Sequence, residues 1–120
     1  KRLKKSRRTI KEIIVHCTAT PEGRNMTVEQ IRADHKAKGW SDIGYHYVID
    51  LNGKVMEGRD VDLIGAHCSA GGHNTYSIGV AYVGGVENLP GVPYEQLKAK
   101  DTRRISPIRS KSWTMSQLLR

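Results

Sequence analysis

The sequence of 120 residues contains no phenylalanine, and aromatic residues make up only 6% of it. Hydrophobic residues account for 38%, which at this length allows the modest core of one domain. No apolar run approaches the roughly 20 residues that a membrane-spanning helix needs, so we expect no membrane span. The basic start is not followed by an apolar segment, so no secretory signal is visible, and the localisation stays unknown.

The sequence also contains little cysteine. Cys17 and Cys68 are too few for a disulfide framework. A single disulfide would require export to an oxidising compartment and close approach of the two Cα atoms, so we expect reduced thiols. The glycine-rich segment over residues 68–75 lacks the strand–loop–helix context of a phosphate-binding loop, which argues against nucleotide binding.

The net charge of +8 is distributed unevenly along the sequence. Residues 1–8 hold six basic residues and no acid, and residues 98–120 hold seven basic residues and one acid. Residues 9–97 hold seven basic and eleven acidic residues, so the middle is acidic overall. Like-charge runs are usually solvated, and no aromatic residue interleaves with the first one, so we expect no nucleic-acid partner. We predict a basic tail over residues 1–9 and an atypical basic segment over residues 104–120.

The pattern of apolar residues predicts an α/β domain with a mixed central sheet over residues 10–103. Thr27 and Gln30 form a capping-box pattern at the start of a helix that ends at Gly39. Asn52-Gly53 is a strong signal for a tight hairpin turn. Strands are predicted over residues 10–16, 45–51, 54–58 and 77–83, with a short strand or extended segment over residues 61–67.

The C-terminal part is less regular, because it contains few apolar residues. Residues 86–93 are predicted to form a loop, and residues 112–119 one further helix with a poor amphipathic pattern. A mixed sheet needs cover on both faces, and only one convincing helix is present. We therefore expect an uncovered apolar sheet face, with self-association through it.

Two strand positions are candidates for chemistry. His16 ends an apolar strand, which suits either a satisfied histidine at the sheet edge or a zinc ligand. Tyr45 begins another strand, where it can serve packing or donate a hydrogen bond to a developing oxyanion. If Tyr45 faces the site, His46 faces away and belongs to the core or supports the site from behind. No HxxxH, CxxC or HExxH spacing is present.

Further candidates lie in and before the glycine-rich segment. His67 precedes it, and Cys68 and Asn74 lie within it. His67 and Cys68 can return to the same rim as His16, and the glycines allow close backbone approach to a ligand. Arg59, at the end of the hairpin, suits either a clamp on a substrate carboxylate or a surface ion pair.

The motifs taken together resemble those of a known family. The matching stretches span about residues 10–86 in the family's order; they are residues 14–20, 28–32 with His35, 39–40, 42–47, 50–53, 57–59, 65–67, 73–74, 77–80 and 83–85. As a set they are specific, although no single stretch is. The sequence resembles the type 2 N-acetylmuramoyl-L-alanine amidases, zinc enzymes that include certain phage lysozymes and the peptidoglycan recognition proteins.

The resemblance implies a fold, a reaction and roles for individual residues. The fold would be the family's mixed sheet with covering helices, and the substrate would be the muramyl peptide of peptidoglycan. The reaction would be hydrolysis, by zinc-activated water, of the amide joining the lactyl group of N-acetylmuramic acid to L-alanine. His16 would be the first zinc ligand, Tyr45 would be the active-site tyrosine, and His67 and Asn74 would line the substrate groove.

The sequence departs from the family pattern in its last part. The family takes its second and third zinc ligands, a histidine and a cysteine or aspartate, from the C-terminal part of the domain, after a long helix. Residues 100–103 resemble the lead into that helix, but no histidine follows His73 and no cysteine follows Cys68. We therefore expect a missing or altered C-terminal helix and an incomplete zinc site. The alternative function is a catalytically inactive peptidoglycan-binding module.

Overall fold

The computed structural model describes residues 3–68, 72–88, 91, 102–105, 110–114 and 117. In the described part of the chain, no helix is long and apolar enough to cross a membrane. The elements, in chain order, are β1 (Glu12–Cys17), β2 (Thr20–Pro21), α1 (Val28–Ala37), β3 (Tyr47–Ile49), β4 (Val55–Glu57), β5 (Ser77–Tyr82), β6 (Gly85–Asn88), β7 (Thr102–Arg104) and β8 (Ser110–Thr114).

A five-stranded mixed sheet forms the centre of the domain, in the order β4-β3-β5-β1-β8. The inner strands β3, β5 and β1 run parallel to one another, while β4 and β8 pair antiparallel at the two edges. A smaller sheet has the order β2-β6-β7. The prediction of a mixed α/β domain is confirmed. Because β1 and β5 are parallel, their C-terminal ends lie at the same end of the sheet.

Local sequence signals fix α1 and the hairpin. The Thr27 side chain accepts a hydrogen bond from Gln30 N, and the Gln30 side chain accepts one from Thr27 N, so the predicted capping box is present. The helix terminates before Gly39, whose φ of +93° is a conformation that glycine adopts at little cost. Gly53 turns the β3–β4 hairpin with a φ of +81°, as its Asn-Gly pair predicts.

The core lies between α1 and one face of the central sheet. Val28 and Ile31 of the helix pack in one buried cluster with Ile43, Val48 and Val83. Burying these side chains removes apolar surface from water, at about 25 cal/mol for each Å². This packing fixes α1, and with it His35, against the sheet.

The other sheet face is only partly covered by described residues. Along β5 the side chains alternate between buried and half-buried, and β1 continues the half-buried row. Its members pair in register as Ile13 with Ile78 and Val15 with Val80. An apolar face with incomplete cover agrees with the expectation from the sequence, and self-association through it stays a prediction.

Two predicted elements are wrong in kind, and a third is wrong in part. Residues 61–67 form turns and bends rather than a strand, and residues 86–88, at the start of the predicted loop, belong to β6. Of the helix predicted over residues 112–119, residues 112–114 belong instead to β8 and Gln117 is helical, while the other residues lie outside the described part of the chain. β8 pairs with the otherwise open edge of β1, and the hydrogen bonds of that ladder outweigh a weak local helix pattern.

The basic N-terminal segment contacts the domain, whereas we expected a solvated tail. Lys4 Nζ lies 2.7 Å from Asp62 Oδ2, and Ser6 Oγ donates to Val61 O over 2.9 Å. Arg8 also bonds to the main chain of the domain. The physical reason is the acidic turn of Asp60 and Asp62, which the overall charge count does not place beside the tail. The domain boundaries themselves stay a prediction.

Candidate functional site

His16 lies at the C-terminal end of β1, with 7% of its surface exposed. Its Nε2 is 2.9 Å from His67 Nδ1, so the two imidazoles share a hydrogen bond. Burial lowers the pKa of His16, which favours the neutral ring. The end of a strand with neighbours on both sides holds this ring rigidly, as a functional side chain requires.

His67 reaches His16 because two glycines leave room for its ring. A Cβ on Gly79 would lie 2.4 Å from His67 Cγ, and one on Gly65 would lie 2.6 Å from His67 Cδ2. Ser77 Oγ lies 3.3 Å from His67 Nε2. Burial, followed by the neighbouring His16, lowers the pKa of His67 to about 3, so its ring is neutral at physiological pH.

His46 supports this pair from within the core. Its side chain is fully buried, its Nδ1 accepts a hydrogen bond from Gly79 N, and its Nε2 lies 2.7 Å from Leu63 O. Because Nδ1 is the acceptor, Nε2 carries the proton that is donated to Leu63 O. The His46 and His67 ring centroids lie 5.7 Å apart in an edge-to-face arrangement. The expectation that His46 belongs to the core or supports the site agrees with this position.

Tyr45 faces the same cluster. Its ring centroid lies 5.6 Å from that of His16 and 5.4 Å from that of His35. Burial, with a smaller contribution from Cys17, raises the pKa of Tyr45. The hydroxyl therefore keeps its proton at neutral pH and is able to donate a hydrogen bond to an oxygen bound beside His16.

His35 belongs to the cluster, although from the sequence it was named only within a stretch that resembles the family. Its Nδ1 accepts a hydrogen bond from Gly44 N over 3.0 Å. Its ring lies between those of Trp40, at 4.6 Å, and Tyr45. The signal for this role was its spacing from Ile31, which buries it. His35 fixes the start of the segment that carries Tyr45.

A cleft of about 230 Å³ lies beside His67, lined by Trp40, Ala66, His67, Cys68 and Asn74. Asn74 Oδ1 accepts hydrogen bonds from the backbone N–H groups of His67 and Cys68, so it shapes the cleft wall. Trp40 is 42% exposed and presents an aromatic surface there. The structure thus brings His67 and Asn74 together, as the resemblance implies.

Arg59 lies apart from that cleft. Its Nε and Nη1 donate to Ile43 O and Ile64 O, each over 2.8 Å. It lines a second cleft, of about 200 Å³, that Lys4 and Asp60 also line. Its described hydrogen bonds tie the end of the hairpin to two loops, so its position supports a structural contribution.

The described residues do not fit a zinc centre. Among them, no group of three or more histidine, cysteine, aspartate or glutamate side chains is placed to hold a metal ion. The 2.9 Å between His16 Nε2 and His67 Nδ1 is a hydrogen-bond distance. Two nitrogens on one tetrahedral zinc, each about 2.0–2.1 Å from the metal, would lie about 3.3 Å apart.

The sequence profile of the N-acetylmuramoyl-L-alanine amidases matches residues 6–117. The chain belongs to this family. An endolysin of Enterobacteria phage T3 is 46% identical over 84 residues, which are 70% of this chain and 54% of the endolysin. A peptidoglycan-recognition protein of Drosophila melanogaster is 33% identical over 112 residues, covering 82% of this chain and 59% of that protein.

Solved structures agree with the family assignment. The N-acetylmuramoyl-L-alanine amidase LysC from Clostridium intestinale superposes with a TM-score of 0.53 at 38% identity, covering 61% of this chain and 46% of LysC. The chain therefore has the amidase fold. It spans about half the length of the phage endolysins that it matches.

Proposed function

We propose that this amidase-family domain acts on peptidoglycan, as a hydrolase of the amide between the lactyl group of N-acetylmuramic acid and L-alanine. The observation that carries the proposal is the cluster of His16, Tyr45 and His67 beside a cleft, at the C-terminal end of β1. The family match and the phage endolysins among its relatives support the same substrate class.

In this proposal the substrate amide lies in the cleft beside His67. The Tyr45 hydroxyl keeps its proton because burial raises its pKa, and it would donate a hydrogen bond to the carbonyl oxygen as negative charge develops there. The rings of His16 and His67 are neutral because burial lowers the pKa of both, so neither brings a charge into the cleft. Asn74 would hold the wall of the cleft and offer its side-chain N–H groups to the stem peptide.

Two further roles concern His16 and Arg59. The resemblance gives His16 the role of a zinc ligand, but the described residues supply no three-ligand set, so we assign no step to a metal. For Arg59, we propose that Nη2 contacts a stem-peptide carboxylate, since Nε and Nη1 are engaged with main-chain carbonyls.

A second candidate function is recognition of peptidoglycan without hydrolysis. The ligand set of the described residues favours it, because a domain with the cleft and an incomplete ligand set would retain binding and lose metal-assisted chemistry. The relatives named peptidoglycan-recognition proteins support the same substrate class. The two candidates share the cleft and differ in whether the amide is cleaved.

The decisive experiment combines zinc content, binding and hydrolysis on the same purified chain. Zinc is measured by elemental analysis after dialysis, binding by titration with muramyl dipeptide, and hydrolysis by release of new amino groups from peptidoglycan. The variants are His16→Ala and Tyr45→Phe, and the control is His73→Ala, which removes an exposed histidine that pairs with Glu12.

Each outcome separates the candidates. Hydrolysis that both site variants abolish and the control retains would support the amidase. Binding without hydrolysis, with no zinc above the level of His16→Ala, would support the recognition module. Absence of both binding and hydrolysis in the wild-type chain would refute the proposed function.

A further inference from the structure

Arg8 makes more described contacts with the domain than any other residue of the basic segment. Its half-buried guanidinium donates from Nε to Val61 O over 2.9 Å, from Nη1 to Thr75 O over 3.2 Å and from Nη2 to Ser77 O over 3.0 Å. These carbonyls belong to the turn after the hairpin and to the start of β5. A guanidinium suits this bridge because its N–H donors form a rigid planar fork.

The neighbouring arginine provides a contrast. Arg7 is 86% exposed at its side chain, and its Nε lies 3.2 Å from Asp62 Oδ2 in a surface ion pair. Arg8 instead directs its charge to backbone carbonyls, and burial lowers its pKa. A partly buried cation loses hydration, and neutral carbonyls compensate for that loss less than a carboxylate does. We therefore infer that Arg8 contributes something other than a surface ion pair.

Two short paths lead from Arg8 to the candidate site. Ser77 is fully buried; its carbonyl accepts from Arg8, and its Oγ lies 3.3 Å from His67 Nε2. Arg8 Nη2 also lies 3.2 Å from His46 Nε2. Since that nitrogen donates to Leu63 O, the contact with Arg8 is close packing of a cation against the ring edge.

Both paths converge on His67. The His46 ring packs against His67, and a Cβ on Gly65 would meet both rings, at 2.9 Å from His46 Cε1 and 2.6 Å from His67 Cδ2. His67 has little room to move once Ser77 and the segment over residues 61–65 are fixed. Arg8 fixes both, because its donors bind Val61 and Ser77 simultaneously.

We propose that Arg8 is a positioning residue, which holds His67 in hydrogen-bonding register with His16 by clamping residues 61–65 to the start of β5. Its effect on substrate binding rests on the proposed function, whereas its effect on the geometry of His67 does not. The basic segment would thereby be a functional part of the domain, through one arginine among its six basic residues.

The test compares Arg8→Met, which keeps much of the side-chain length and removes every donor, with Arg7→Met, which removes the same charge one residue earlier. Imidazole nitrogen and proton NMR signals of the five histidines are recorded without ligand. Melting temperature and muramyl dipeptide affinity are measured on the same samples. Arg8→Lys serves as the conservative variant, because it keeps the charge but cannot reach three carbonyls.

We expect Arg8→Met to move the His67 and His46 signals and to weaken muramyl dipeptide binding by about tenfold, the change that loss of a charged hydrogen-bond donor implies. Arg7→Met should leave the His67 and His46 signals in place and the muramyl dipeptide affinity within twofold of the wild type. Arg8→Lys should give changes between those of Arg8→Met and Arg7→Met. Should Arg8→Met fail to fold, the comparison of Arg8→Lys with Arg7→Met decides.

The proposal would be overturned if folded Arg8→Met melts at a lower temperature with unchanged His67 signals, since that is the result of a purely structural role. It would also be overturned if Arg7→Met moved those signals equally. If the wild-type chain binds no muramyl dipeptide, the proposed function fails, while the ligand-free NMR signals still decide the role of Arg8.

Discussion

Gly79 is a position at which one added methyl group should disturb the candidate site directly. Its N–H donates to His46 Nδ1, its carbonyl accepts from His46 N, and the His67 ring lies over its Cα. In Gly79→Ala the new Cβ would lie 2.4 Å from both Cγ and Cδ2 of His67. A normal carbon–carbon contact is about 3.5–4.0 Å, so the His67 ring must move by about 1 Å or more.

That displacement has a predictable magnitude. Moving His67 by about 1 Å breaks its 2.9 Å hydrogen bond to His16. Overpacking in a dense core costs about 1–3 kcal/mol, and loss of one hydrogen bond adds about 0.5–1.5 kcal/mol. We therefore expect Gly79→Ala to lower the free energy of unfolding by about 2–4 kcal/mol and to weaken any ligand binding that depends on the histidine pair.

The assay is urea unfolding combined with histidine NMR. Val80→Ile is the matched control, because it adds one carbon to the next residue of β5, which points to the half-buried face. We expect the control to change the free energy of unfolding by less than about 0.5 kcal/mol. Gly79→Ala with unchanged His16 and His67 signals and a stability within that same limit would refute the packing argument.

Three further predictions concern other parts of the fold. Thr27→Ala removes the capping box of α1 and should lower the free energy of unfolding by about 1 kcal/mol, measured by urea unfolding. Burial lowers the pKa of His35 and His46 in the folded state, so as the pH falls the unfolded chain takes up protons at these residues before the folded chain does. The urea midpoint should therefore fall as the pH drops below about 6.5 and be constant above it. Asp62→Asn removes the carboxylate that pairs with both Lys4 and Arg7 and leaves Lys4 only Asp60, so trypsin should cleave the basic segment faster.

Controls make these three outcomes informative. Ser41→Ala, at an exposed position just after α1, should leave the stability unchanged, so an equal loss there would remove the capping argument. A urea midpoint that rises as the pH is lowered from 7.5 to 5 would contradict the histidine argument. For Asp62→Asn, the comparison is Asp34→Asn on the exposed side of α1; equal acceleration of cleavage by both would show that the ion pairs do not protect the segment.

Local patterns were sufficient where neighbours in sequence are also neighbours in space. The capping box begins α1, and the Asn-Gly pair turns the hairpin, because each depends on contacts within a few residues. The apolar run before His16 forms the inner strand β1. The closeness of His67 and Asn74 followed from the resemblance to the amidases, since the sequence by itself gives their order but not the folding of the loop.

Long-range pairing explains the errors. β6 and β8 form because β2 and β1 offer open hydrogen-bonding edges. The local sequence of residues 85–88 and 110–114 does not predict that these edges are available. The attachment of the basic segment likewise depends on Asp62, more than fifty residues later in the chain. Charge counting predicted a solvated run because it cannot place that carboxylate beside it.

The sequence by itself determined the amidase family, the helix, the hairpin and His16 at the end of a strand, since these depend on short-range order and on the identity of residues. Only the tertiary structure decided that His16 shares a hydrogen bond with His67, that Gly65 and Gly79 make room for it, and that Arg8 spans Val61 and Ser77. The physical reason is that hydrogen bonds and steric contacts act over a few ångströms between atoms that the fold, and not the order of residues, brings together.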